Sequence, residues 1–470
     1  MTRITCFIAT ADESTAKELS CNPLVGKVLC REQLRSAEAV RWMAANAEGD
    51  YTLIYDKPTR LAWVHWGLHR MVQIADDTGA AMLYSDRFKI VDGVESQAPV
   101  ADYQPGSLRD DFDFGSVMLY RTDLLKQAVA EMEGGYKYAG LYDLRLRVSR
   151  MGEIVHINEY LYYDIELDLR RFGEKLFDYV NPRNRAVQIE MEAACTAHLR
   201  AIGGYLAPSA FKEVDLKAGQ FEYEASVVIP CRNRARTIAD AIRSALNQKT
   251  AFPYNVIVVD DNSTDGTAEI IAKLAAENPG KLVYIAQDKT YHAIGGNWNA
   301  ALHHPKCGRF ALQLDSDDVY SSENTVQMFV DAFYGQNCAM VIGSYQITDI
   351  NLTPADMAPI EHREWTPDNG RNNALRINGL GAPRGFFTPL VREMTFPTTK
   401  YGEDYAVALR ICREYRIGRI YDVMYFCRRW DGNSDASLDV ATANRYNTYK
   451  DRIRTWELQA RIAANRARQA

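Results

Sequence analysis

Three groups of acids in the second half of the chain have the types and spacing for chemistry. Asp315-Ser316-Asp317 places two carboxylates one residue apart, at the end of the run FALQLD. Where the backbone bends, both can reach one hard cation, and Mg²⁺ or Mn²⁺ prefers such oxygen ligands. A cation held there could neutralise a departing diphosphate, whereas a bare turn or helix cap needs no ligand. Asp260-Asp261-Asn262-Ser263 closes the run NVIVVD. A carboxylate there could accept from a nucleobase N–H or ribose hydroxyls, and Ser263 or Asp265 could equally cap the next helix. Glu403-Asp404 opens a helix, where the dipole alone favours an acid. Its functional reading is a general base that takes a proton from an acceptor hydroxyl.

The elements that must position these acids alternate. EASVVIP (224–230), NVIVVDD (255–261), LVYIAQD (282–288) and FALQLD (310–315) read as short buried strands. Ile238, Ala241, Ile242 and Ala245 have helical spacing, and a further helix is expected from Ala268 to about Glu277. Alternating strands and helices predict an α/β fold with a mostly parallel sheet, whose strand ends face a ligand crevice. Val187, Met191, Ala194, Leu199 and Ile202 lie along one stripe of a connecting helix that Gly203 and Gly204 end. The Arg- and Ala-rich stretch from Lys450 to Ala470 predicts a helix with a solvated charged face.

The chain repeats itself. YTLIYDKPTRL (51–61) matches FALQLDSDDVY (310–320), and LRLRVSRMGEIVHI (144–157) matches VALRICREYRIGRI (407–420). The offset is 259 at the first pair and 263 at the last, so two copies of one βα architecture are expected. Asp56 matches Asp315, but Pro58 stands opposite Asp317, Gly140 opposite Glu403 and Leu141 opposite Asp404. The first copy also lacks DDNSTDGT, so the chemistry is assigned to the second.

The order SVVIPCRNRARTIADAIRSALNQ, NVIVVDDNSTDGT, FALQLDSDDVY, YGEDYAVALRI resembles a family 2 glycosyltransferase of the GT-A fold, closely over about 222–435. The resemblance is faint over 1–165. It implies inverting transfer of a sugar from a nucleotide-diphosphate donor to a glycan or glycolipid hydroxyl. It also implies a Mn²⁺ or Mg²⁺ cofactor, with Asp317 as principal metal ligand and Asp315 supporting it beside the ribose or diphosphate. Ser316 lies in that motif. Pro230, Arg232, Asn233, Asp260 and Asp261 would form the nucleotide-sugar loop, and Asp404 would be the base. Many members place His- or Arg-rich residues after the last helix. Here the segment is Cys427 to Ser434, without His. Arg428 or Arg429 could pair with diphosphate, Trp430 could stack on a sugar, and Asp431 could add a metal ligand. Glu403, and Arg384 from the segment NGRNNALRINGLGAPRGFF, are placed beside the acceptor or diphosphate.

The expected organisation is two tandem GT-A-like (Rossmann-like) domains. Residues 1–169 form a degenerate copy, 170–222 a connecting helix and linker, 223–438 the catalytic domain, and 439–470 a C-terminal helix. A UDP-sugar is the first expectation and a GDP-sugar the second. The formal charge of −6 argues against a protein that coats nucleic acid. Nine cysteines without CxxC spacing indicate neither a disulfide framework nor a zinc ribbon. No run approaches the roughly 20 apolar residues of a membrane span. The expected location is the cytoplasm, with a peripheral contact at the inner membrane face and homo-oligomers both left open. His65 and His69 are four apart but lack the Glu of a zinc helix, so a packed helix face is expected. Gly379-Leu380-Gly381 lacks dinucleotide-loop spacing. Three alternatives stand beside the main reading: a two-headed glycan polymerase, a non-catalytic carbohydrate-binding or assembly protein, and a nucleotidyltransferase, which would release pyrophosphate.

Overall fold

The structure is a computed structural model that describes residues 3–9, 13–169, 181–287, 293–433 and 438–469. It divides into two compact units. Unit 1 comprises Met1–Tyr179, Asn184–Tyr205 and Leu438–Ala470, and unit 2 comprises Val180–Arg183 and Leu206–Ser437.

The strands of unit 1 are β1 (Ile4–Ile8), β2 (Val25–Cys30), β3 (Tyr51–Tyr55), β4 (Leu61–Trp63), β5 (Met82–Val91), β6 (Val94–Ala98), β7 (Val117–Arg121) and β8 (Ile154–Ile165). They form one sheet in the order β2-β1-β3-β7-β5-β8-β4, with β6 paired to β5. Apolar side chains pack on both faces, one cluster including Phe7, Met43, Ile54 and Tyr120, the other Cys6, Leu53, Met71 and Leu119. Such two-sided burial is why β1 and β3 read as continuous apolar runs rather than alternating ones.

Unit 2 contributes β9 (Ala225–Cys231), β10 (Tyr254–Asp260), β11 (Leu282–Ala286), β12 (Phe310–Gln313), β13 (Val319–Tyr320), β14 (Met340–Thr348), β15 (Arg384–Phe387) and β16 (Ile417–Arg428). Its sheet runs β11-β10-β9-β12-β15-β14-β16-β13. Beyond the extra β11, the two sheets follow one path. The steps are parallel, parallel, antiparallel, antiparallel, parallel, antiparallel in unit 1. The same sequence of senses recurs in unit 2. Even the register shifts coincide, near Asp86 in β5 and near Ser344 in β14.

The expected α/β class is found, but the sheets are mixed rather than mostly parallel. The four strands legible as βα units, β9 to β12, are the mutually parallel ones. The antiparallel steps enter through β13 and β15, which sequence patterning did not separate from loop. Pro230 is tolerated in central β9 because pairing to β12 ends at Val228. The missing N–H faces that edge, where no ladder bond remains to lose.

The helix Ile238–Leu246 buries Ile238, Ala241, Ile242 and Ala245, as its spacing predicts. The connecting helix is Arg185–Ala201 and packs with unit 1. The part of the expected connector at 170–180 lies outside the described residues.

The last helix, Val440–Gln469, also belongs to unit 1 and departs from its expected solvated character. Asp451, Arg454 and Arg461 are fully buried on it. Asp451 accepts from Ser107 Oγ at 3.0 Å and from Arg454 NH1 at 2.7 Å, and faces Arg109 Nε at 3.4 Å. A helix that buries mutually paired charges shows no apolar stripe, which is why its pattern read as exposed. His65 and His69 do not form a packed face either. Their rings flank Trp66 at 5.3 and 4.7 Å, and Trp66 is 63% exposed.

Candidate active site

β9, β10 and β12 are parallel, so their carboxyl ends open on one edge of the sheet of unit 2. That edge receives Arg232 from β9, Asp260 and Asp261 from β10, and Asp315 from β12. The two members of the first acidic pair face different ways. Asp260 is turned inward, where Oδ1 accepts from Ser263 N (3.2 Å) and Ser263 Oγ, and Oδ2 accepts from Tyr284 OH at 3.3 Å. Burial, with the nearby Asp260 charge, pushes the Tyr284 hydroxyl up to about 12. Asp261 faces the exposed Arg232, whose NH1 lies 3.6 Å from Oδ2. Asn233, in the left-handed region at φ 53°, binds across to the next turn. Its backbone N donates to Ser263 Oγ at 2.8 Å, and its Oδ1 accepts from Thr264 N at 2.8 Å. These bonds pin the loop after β9 to the loop after β10.

The turn after β12 is a dense acidic cluster. Asp318 N donates to Asp315 O at 3.1 Å, and Thr237 Oγ1 donates to the Ser316 carbonyl at 3.0 Å. Asp315 N donates to Tyr425 OH at 3.0 Å, and its carboxylate accepts from Gln313 Nε2 at 3.0 and 3.2 Å. Burial raises the Asp315 carboxyl above the usual carboxylate range despite the Gln313 bond, and the Asp317 charge adds to the rise. Asp318 is pushed well above that range by burial and by the charges of Asp317 and Asp315. Asp317 Oδ2 meets Arg234 Nε at 3.4 Å and Asn433 Nδ2 at 3.1 Å.

Asp404 lies in the first turn of the helix Glu403–Glu414. Gly402 precedes it at φ 85°, a conformation that suits glycine and turns the chain into the helix. Asp404 Oδ1 accepts from Tyr405 N at 2.6 Å, and Oδ2 pairs with Arg384 NH2 at 2.6 Å. Glu403 is buried beside it. Arg384, on β15, also donates through NH1 to Gln313 Oε1 at 3.0 Å and through Nε to Leu380 O at 2.5 Å. An unbroken line of polar contacts therefore runs Asp315, Gln313, Arg384, Asp404.

The segment after β16 folds back on the acidic turn. Arg428 N donates to Asp318 Oδ1 at 2.7 Å, and its NH2 pairs with Asp240 at 3.1 Å. Arg429 N donates to Thr348 O at 2.8 Å. Trp430 N donates to Asn433 Oδ1 at 2.7 Å, and Arg236 lies 5.2 Å over the indole. Ser434, which closes this motif, lies outside the described residues.

Sequence reading missed Gln313, Arg234, Asp318, Tyr425 and Asn433. Gln313 had a signal: it lies two residues before Asp315 and shares its strand face. Asp318 stood inside the quoted motif. Arg234 and Asn433 reach Asp317 from distant loops, which no local pattern reveals.

In unit 1 the corresponding positions carry internal ion pairs. Arg35 Nε pairs with Asp56 at 2.6 Å. Lys57 Nζ lies 3.1 Å from the buried Asp164, which Arg87 Nε approaches at 3.3 Å.

Comparison with known proteins matches part of unit 2 to a described family. Residues 226–393 match the family model described as Glycosyl transferase family 2. The chain is 24% identical over 245 residues to UDP-Glc:alpha-D-GlcNAc-diphosphoundecaprenol beta-1,3-glucosyltransferase of Escherichia coli, spanning 52% of this chain and 88% of that protein. It is 26% identical over 235 residues to poly(ribitol-phosphate) beta-glucosyltransferase of Bacillus spizizenii, spanning 48% of this chain but 36% of that longer protein. Among solved structures, Staphylococcus aureus TarS 1–349 with UDP-GlcNAc gives a TM-score of 0.38 at 22% identity, over 51% of this chain and 72% of that one. The mannosyltransferase PcManGT of Pyrobaculum calidifontis, with GDP-Man and Mn²⁺, gives 0.37 at 17% identity, over 62% and 87%.

The protein is a glycosyltransferase. Its second unit carries a stretch, residues 226–393, that matches the family 2 glycosyltransferase model.

Proposed function

We propose that unit 2 moves a sugar from a nucleoside-diphosphate donor to a hydroxyl of a glycan or glycolipid by one inverting displacement. The observation that carries this is the line of polar contacts from Asp315 to Asp404, which joins a donor-side acid to an acid fit to be a base. Asp261, Arg232 and the Asn233 loop hold the nucleotide. Asp404 takes the proton from the acceptor hydroxyl as the oxygen attacks the anomeric carbon. A carboxylate does this as an anion, and Asp404 Oδ2 lies 2.6 Å from Arg384 NH2.

Asp317 and Asp315 are the residues that would hold Mn²⁺ or Mg²⁺, and a cation there would supply positive charge to the departing diphosphate. Burial, and after it the charges of the neighbouring acids, raises Asp315 and Asp318, and a divalent ion there would offset those charges. Among the described residues, no group of three or more His, Cys, Asp or Glu side chains forms a complete metal site. Asp315 and Asp317 would be the acids that the chain supplies, and oxygens of the substrate diphosphate or water would complete the ligand set.

A UDP-sugar is the first choice of donor, supported by the E. coli relative, whose name gives UDP-Glc. A GDP-sugar is the second. The two relatives named above share glucosyl transfer and differ in acceptor.

We read unit 1 as a non-catalytic copy of the same architecture. Its sheet follows the same path, while Pro58, Gly140 and Leu141 replace the acids and Asp56 and Lys57 are held in ion pairs within the unit. A two-headed polymerase would need a second base, so Asp404→Asn is expected to lower transfer to every acceptor alike.

The test is a thermal-shift panel of UDP, GDP, CDP and dTDP with and without Mn²⁺. One diphosphate is expected to stabilise wild type only with metal, by about 2.7 kcal/mol at 100 times its Kd. Asp317→Ala is expected to lose that effect. Absence of any shift in wild type would overturn the proposal.

A further inference from the structure

We propose that Gln313 is a positioning residue that aligns the base from the donor side. It fixes the Arg384 guanidinium against Asp404 and takes its own orientation from Asp315. The proposal rests on Asp404 being the base.

The chemistry of the amide forces this arrangement. A glutamine has one accepting end and one donating end, a guanidinium only donates, and an ionised carboxylate only accepts. Gln313 Oε1 must therefore face Arg384 NH1, as it does at 3.0 Å, and Nε2 must face Asp315, as it does at 3.0 and 3.2 Å. Reversal would set N–H against N–H and oxygen against oxygen. The connection is buried, with Gln313 6% and Arg384 8% exposed, so water is a poor substitute for either bond. Gln313 is held further by its own backbone, whose carbonyl accepts from Tyr320 OH at 2.9 Å. Arg384 cannot follow Asp404 freely, because Nε is tied to Leu380 O and NH2 also reaches Gly381 O. A movement of Asp315 on donor binding therefore reaches the base through a chain of defined polarity.

Two substitutions separate the two bonds of the Gln313 amide. Gln313→Met removes both. Gln313→Glu keeps an oxygen toward Arg384 and sets a like charge against Asp315.

The experiment measures UDP release from UDP-glucose with Mn²⁺, and solves crystal structures of the same proteins. Gln313→Met is expected to lower kcat at least tenfold with donor KM within about threefold, and its structure to show Arg384 withdrawn from Asp404. Gln313→Glu is expected to do the reverse, raising donor KM with kcat within about threefold and the Arg384–Asp404 contact kept. Because the effect runs through Arg384, Gln313→Met should add no more than about twofold to the loss in Arg384→Lys. A merely structural role would multiply the losses and lower the Tm of both Gln313 variants alike. An Arg384–Asp404 pair unmoved in the Gln313→Met crystal overturns the proposal, even if UDP-glucose proves not to be turned over. Failure of the underlying reading looks different: Asp404→Asn would then release UDP at the wild-type rate.

Discussion

At the scale of single residues, Asp404 and Asp317 make separable predictions. Asp404→Asn keeps the shape and loses the proton acceptor. It is expected to lower transfer by about 10² to 10⁴ while the metal-dependent thermal shift with nucleotide is retained. Asp317→Ala is expected to lose both, since the donor no longer binds. Calorimetric titration of the nucleotide beside a transfer assay tells the two apart.

His156 in unit 1 gives a prediction in pH. Its ring lies between Asp102 at 2.7 Å and Asp86 at 2.9 Å. Burial works against its charge, but the hydrogen bonds and charges of the two acids outweigh it and raise the folded value. The resulting stability is fully present below the ordinary value of about 6.5 and is lost as pH rises through the raised value. The stability gap between wild type and His156→Gln should therefore be larger at pH 6 than at pH 9 in denaturant titrations. A gap that widens toward alkaline pH would falsify this reading.

At the scale of elements, what could be read was governed by whether a pattern is local. β9, β10, β11 and β12 announced themselves through short β-branched runs, and the helix Ile238–Leu246 through its apolar spacing. The acids at their ends were legible because strand ends and turn residues are local too. β13 and β15 are two and four residues long and are specified by partners far away in sequence. Gln313 and Arg384 are joined across 71 residues, and Arg234 meets Asp317 across a comparable gap. These contacts come from topology, which no window of sequence contains.

The helix Val440–Gln469 is the clearest case of a misleading pattern, and it carries a prediction. Asp451 is shared by Ser107, Arg109 and Arg454. Asp451→Ala leaves buried guanidinium groups without that carboxylate, and such a loss typically costs about 3–5 kcal/mol. Chemical denaturation followed by tryptophan fluorescence should show it.

At the scale of the whole molecule, two units share one sheet path and differ in what hangs from the strand ends. The fold survives loss of the acids because these occupy turns and helix starts rather than the packed strands. If just one unit binds nucleotide, calorimetry of the full chain should show one transition that moves with UDP and Mn²⁺ and another that does not. Two transitions shifting together would argue for a site in each. No helix among the described residues is long and apolar enough to cross a membrane.

Unit 1 is also discontinuous: its last helix, Val440–Gln469, follows all of unit 2 in the chain. On a ribosome, β1 to β8 emerge first but must wait for Asp451 while more than 200 residues of another unit are made. During that interval Arg109 and Ser107 lack the carboxylate that they share in the finished protein. At about 5–20 residues per second, the wait lasts on the order of ten seconds or longer. The order of completion is then the reverse of the order of synthesis: the transferase unit can close on its own residues before the unit that precedes it is whole.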